Sequence, residues 1–73
     1  MSVKEMKIVT LNELRKNSGL TQAGLASELG MSKSTIAMYE LGQRTPNLKT
    51  ALEIAKYFGV NVEKIRFSSG KDA

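Results

Sequence analysis

The apolar positions of this chain fall into short helical clusters, each opened by a residue able to cap a helix and closed by a glycine. Gly19, Gly30, Gly42 and Gly59 each follow a helical pattern, and Thr21, Ser32, Asn47 and Asn61 each stand where an N-cap is wanted. Thr10-Leu11-Asn12-Glu13 has the form of a capping box, in which Thr10 accepts from the Glu13 amide and Glu13 reaches back to the Thr10 amide. This punctuation predicts a compact all-α fold of five helices, roughly 11–18, 21–29, 32–41, 47–58 and 61–66, joined by short connections. In the fourth, Leu48, Leu52, Ala55 and Phe58, with Ala51, read as one apolar stripe, while Lys49, Glu53 and Lys56 face water. Pro46 precedes that helix, where it disturbs no interior hydrogen bond.

The ends are less regular. Residues 1–9 read as a mobile tail with a weak strand-like alternation, and residues 68–73 are expected to fray. Val60, Val62, Ile65 and Phe67 hold too much apolar surface for a lone short helix. They close the bottom of the core or form a dimer contact, unless Ile65 and Phe67 lie on a strand pairing with residues 7–9. No repeat or linker divides the chain, so its 73 residues form one domain with an ordered core at about 10–67.

Composition narrows the chemistry. The chain has no cysteine and no histidine, which removes disulfides, thiolate metal sites and the commonest general base. With no glycine-rich phosphate loop either, no catalytic set, cofactor, metal or small-molecule ligand is expected. No apolar run approaches a membrane span and the N-terminus lacks a signal peptide's apolar region, so a cytoplasmic protein is expected. A net charge of +4 and a pI near 9.6 favour a polyanionic partner, although many small soluble domains are basic for solubility alone.

The most informative stretch is residues 21–40. Two helices joined by a tight turn must cross at close range, which asks for a small residue at the crossing and one tolerant of positive φ in the turn. Ala26 and Gly30 answer these needs, and Leu25, Leu29, Met31 and Ile36 supply apolar contacts from both helices. These requirements coincide at the spacing of a helix-turn-helix.

The stretch TQAGLASELGMSKSTIAMYELG, followed by RTP and LEIAKYFGV, resembles the phage repressor and Cro-type (XRE-like) helix-turn-helix family over about residues 11–65. The resemblance implies a five-helix, lambda-repressor-like domain that binds double-stranded DNA, usually as a homodimer on a palindromic operator. Its second motif helix would lie in the major groove, with half-sites about 34 Å apart. It places a phosphate clamp at Gln22 and base-reading positions at Ser32, Lys33, Ser34 and Met38. Gln43, Arg44, Asn47 and Lys49 form a second backbone clamp. It also implies an ion pair between Arg15 and Glu40, partly buried. Lys33 suits guanine O6 and N7, and an outward Met38 suits a thymine methyl. The plainer alternatives are a solvated lysine and a core gap-filler. Tyr39 is expected to pack over the turn.

Taken together, these features predict a DNA-binding transcriptional regulator, most simply a repressor of Cro-like phage, plasmid or antitoxin type. The competing reading is a protein-interaction module on the same fold. One departure from the family pattern is Gly24, where a glutamate would complete a capping box with Thr21. Glycine inside a helix costs about 1 kcal/mol against alanine. Gly24→Glu is therefore expected to raise the melting temperature by several degrees in a thermal melt; no rise would mean that the backbone needs the space.

Overall fold

The computed structural model describes residues 8–67. The expectations for the two tails, including any N-terminal dimer surface, lie outside the described residues. A short strand β1 (Val9–Thr10) leads into α1 (Leu11–Asn17), followed by α2 (Gln22–Leu29), α3 (Lys33–Leu41) and α4 (Leu48–Phe58). A single 3-10 turn (Val62–Lys64) and a second strand β2 (Ile65–Arg66) complete the described chain.

Each α-helix starts on the cap that its sequence supplies. The capping box at Thr10 is closed in both directions, with Glu13 N–H donating to Thr10 Oγ1 at 3.1 Å and Thr10 N–H donating to Glu13 Oε1 at 3.0 Å. Thr21, Ser32 and Asn47 accept from the amides of Gly24, Thr35 and Thr50. At the other ends, Leu20, Met31, Gln43 and Val60 donate back five residues to the carbonyls of Arg15, Ala26, Met38 and Ala55 at 2.8–3.2 Å. This is the Schellman closure, which needs a left-handed residue before the donor; Gly30 supplies it between α2 and α3 at φ 71°. Leu20, Met31 and Val60 then turn their side chains onto the core, the apolar contact that accompanies such closures.

Four side chains, Leu11, Leu25, Ile36 and Ile54, are fully enclosed, and Ala26, Tyr39, Ala55 and Ile65 surround them. Ala26 is buried where α2 meets α3, and Tyr39, expected over the turn, is buried in the core cluster. Around this centre Leu14, Leu29, Phe58, Val62 and Phe67 are half-buried.

Two expectations need correction. The described residues contain four α-helices, not five. The segment expected to form a fifth helix makes one 3-10 turn and then pairs in parallel with β1, Val9 opposite Ile65 and Thr10 opposite Arg66. Asn61 does cap, but its Oδ1 takes the Glu63 amide two residues on, which supports a turn and not a propagating α-helix. Ile65 is a β-branched residue whose burial and backbone pairing both favour the extended form.

The second correction concerns α4. Its buried residues are Ala51, Ile54 and Ala55, while Leu48 and Leu52 are 70% and 48% exposed. On a helical wheel, Ala51 lies between Ile54 and Ala55 on the buried side, and Leu48 and Leu52 fall about 20° and 60° beyond Ala55. The small alanines let α4 approach the core and Ile54 fills the space. Helix 4 has more apolar residues than one face can bury.

Gly24 has ordinary helical geometry, since the described glycines with positive φ are Gly19, Gly30, Gly42 and Gly59. A Cβ there would meet the Thr21 hydroxyl at 3.2 Å and a Leu20 methyl at 3.6 Å. The capping side chain must therefore yield by a few tenths of an ångström. The gain expected from filling the position therefore depends on Thr21 making that movement while it keeps its bond to the residue 24 amide.

Truncating Ile54 to alanine is expected to cost about 2–5 kcal/mol in denaturant unfolding, whereas Leu48→Ala, compared at concentrations where the chain is monomeric, should stay within about 0.5 kcal/mol of the parent. Equal losses at the two sites would contradict this assignment of the α4 faces.

Candidate nucleic-acid interface

The positions expected to meet DNA occupy the exposed first turn of α3, the α3–α4 loop, and the starts of α2 and α4. Lys33 and Ser34 are exposed at the head of α3. Ser32 is exposed too, but its hydroxyl is committed to the helix: it takes the Thr35 amide at 3.2 Å and shares a hydrogen bond with Thr35 Oγ1 at 2.9 Å. Met38, one turn along, is half-buried, so part of its side chain remains accessible. Gln43, Arg44, Asn47 and Lys49 are all exposed. The Gln43 amide closes α3, and Asn47 Oδ1 caps α4 at 2.9 Å, so each offers the rest of its side chain.

At the head of α2, Thr21 Oγ1 takes the Gly24 amide at 2.9 Å. The amides of Gln22 and Ala23 are left without an intrahelical acceptor. These N–H groups, at the positive end of the helix dipole, suit a phosphate oxygen.

Behind this surface lies a polar cluster centred on Glu40, near the end of α3. Arg15 Nε donates to Glu40 Oε2 at 2.6 Å and Arg15 Nη2 to Oε1 at 3.2 Å, a two-pronged contact between side chains only 10% and 5% exposed. Arg15 Nη1 donates to the Leu20 carbonyl at 2.8 Å, tying in the α1–α2 connection. Oε1 of Glu40 also accepts from Asn12 Nδ2 at 3.1 Å and from Gln22 Nε2 at 2.9 Å. One carboxylate thus links α1, α2 and α3.

Sequence reasoning missed Asn12 and the side-chain role of Gln22. Asn12 lies three residues before Arg15 and so shares its helix face, a spacing that could have drawn it in. Nothing local points Gln22 at Glu40, because that contact depends on how α2 and α3 cross.

The electrostatics follow from the donors. Burial pushes the Glu40 carboxyl up, but hydrogen bonds from Arg15, Gln22 and Asn12, together with the Arg15 charge, outweigh this and hold it below the ordinary glutamate value.

Two helices that cross over a small residue and a left-handed glycine, the second presenting an exposed basic first turn, define a helix-turn-helix protein. A helix-turn-helix family model matches residues 11–65, which span every described α-helix and the 3-10 turn. The chain belongs to the helix-turn-helix family of transcriptional regulators. It is 47% identical over 55 residues to an uncharacterized HTH-type transcriptional regulator of Methanocaldococcus jannaschii, covering 75% of this chain and 83% of that one. It is also 33% identical over 55 residues to the cryptic phage CTXphi transcriptional repressor RstR of Vibrio cholerae, covering 75% and 50%. With the HTH-type transcriptional activator BcrR of Enterococcus faecalis it shares 34% over 55 residues, covering 75% and 27%. No solved structure matches the chain significantly. No helix among the described residues is long and apolar enough to cross a membrane.

Because the folded Glu40 carboxyl is depressed, its contribution to stability is present above the ordinary glutamate pKa and is lost as pH falls through the lower folded value. Chemical unfolding from pH 7 downward is therefore expected to show a fall in stability beginning near pH 4.5 and deepening below it. Glu40→Gln should remove this component from the profile while lowering stability at pH 7 by about 3–5 kcal/mol, since Arg15 is left buried without its counter-charge. An unchanged acid profile in that variant would rule the assignment out.

Proposed function

We propose that this chain is a sequence-specific, double-stranded DNA-binding transcriptional regulator that acts as a homodimer on a two-fold symmetric operator. Lys33 and Ser34 read base edges in the major groove, with Met38 against a thymine methyl and Ser32 positioning the helix start. Gln22 on one side and Gln43, Arg44, Asn47 and Lys49 on the other hold the phosphate backbones. The observation that carries this reading is the exposed head of α3, with its cation and hydroxyl, on a helix braced against α1 and α2 through Glu40. Repression by promoter occupancy is the simplest mode of action; it agrees with the name of the phage relative and differs from that of the enterococcal one.

The homodimer draws support from α4. Leu48 and Leu52 are one turn apart on its outward side, whereas Val60, Val62, Ile65 and Phe67 pack against the chain's own core. Among the described residues α4 thus offers exposed apolar surface to a second copy, as Ile8 and Leu41 also do, whereas the C-terminal group is turned largely onto the core.

Selection from random-sequence duplexes, followed by binding at two salt concentrations, tests the reading. Two-fold symmetric sites should emerge. Lys33→Ala is expected to cost about 1–3 kcal/mol and relax preference at one base step, while Gln22→Ala should weaken all sequences alike. Binding without selected sequences that vanishes with salt would contradict it.

A further inference from the structure

Gln22 does two things at once in this fold. Its backbone amide is at the head of α2, free of an intrahelical acceptor, and its side chain donates to Glu40 Oε1 at 2.9 Å. Glu40 belongs to α3, the helix whose first turn is exposed. An ionised carboxylate only accepts, so the side-chain NH2 of Gln22 and not its carbonyl must face Glu40. One N–H of that group is used on Glu40. The other, and the carbonyl, remain.

We infer that Glu40 is a positioning residue for DNA binding: its carboxylate holds the Gln22 carboxamide in one orientation, with its second N–H available to a phosphate oxygen, and so sets the phosphate contact of α2 in register with the recognition helix α3. The inference rests on the proposed phosphate contact of Gln22 and deepens it. Three features make the arrangement suited to this task. The Glu40 charge is matched by the two-pronged Arg15 contact, so the carboxylate can stand behind a phosphate site without presenting an uncompensated negative charge. Asn12 and Arg15 bring donors to the same carboxylate from α1, which limits its freedom to rotate away from Gln22. Finally, a glutamine side chain loses considerable rotamer freedom when it binds, and fixing it beforehand removes much of that loss from the binding step.

The test combines a double-substitution cycle with a measurement on the unaltered protein. Binding to mixed-sequence duplex DNA of about two helical turns is measured for the parent, Gln22→Ala, Glu40→Asp and the double variant, each checked by thermal melting to be folded at the assay temperature. Glu40→Asp keeps the negative charge but draws the carboxylate back from Gln22, and from the Arg15 and Asn12 donors with it, which is why its folding is checked first. Each single substitution is expected to weaken binding roughly five- to tenfold, and the double variant no more than either alone. Additive losses, or full binding by Glu40→Asp beside a weakened Gln22→Ala, would overturn the positioning role and leave the phosphate contact standing. Full binding by Gln22→Ala would overturn the positioning role together with any phosphate contact of the Gln22 side chain. The measurement on the parent protein is side-chain 15N relaxation at Gln22. The carboxamide is expected to be ordered before DNA is added and to change little on binding; a carboxamide that is mobile in the free protein and ordered only with DNA would equally overturn the inference, whether or not the Glu40 variant folds.

Discussion

A single carboxylate, Glu40, ties together the three helices on which the surface of this protein depends. It accepts two hydrogen bonds from Arg15 and one each from Asn12 and Gln22, so α1 and α2 are both fastened to α3. Withdrawing a charge from water is costly unless it is paired and its lone pairs are filled, and here both conditions are met. No buried side-chain polar atom among the described residues lacks a partner. In a chain whose enclosed core amounts to four large side chains, a polar clamp of this kind specifies how the helices sit, which nondirectional apolar packing does less well.

The rest of the fold frees α3 to present its first turn. Schellman closures end the α-helices abruptly, and the next N-cap follows two residues after Gly19, Gly30 and Gly59 and five after Gly42. Tyr39 and Ile36 take the inward directions of α3, which leaves Lys33 and Ser34 outside. The small parallel pairing of β1 with β2 closes the chain beneath α1 and lets Ile65 complete the core. The surface that reads DNA in this account is a few side chains wide, and most of residues 21–40 is scaffold for it.

Much of this was legible in the residues themselves, because caps and Schellman glycines are local devices: their partners lie two to five positions away, within one window of sequence. The crossing of α2 and α3 was legible for a related reason, since Ala26, Gly30 and Ile36 meet at fixed spacing. Two features were not. Leu48 and Leu52 are as apolar as Ile54, and periodicity alone does not say which part of a broad apolar arc faces the core. The Gln22 link to Glu40 arises only from the crossing geometry. The extended form at Ile65 was legible only as an alternative to a helix, because it depends on a strand more than fifty residues earlier in the chain. The Arg15–Glu40 pairing, also long-range, was reached through the family resemblance and not from local pattern.

The central claim is that the Glu40 clamp holds α2 and α3 in the arrangement that meets DNA. A crystal structure of the protein on a selected duplex tests it most directly. The account predicts the first turn of α3 in the major groove, Gln22 on a backbone phosphate, and the Gln22–Glu40 hydrogen bond still in place. A complex in which α3 lies away from the groove, or in which Gln22 leaves Glu40 to reach the phosphate, would contradict it.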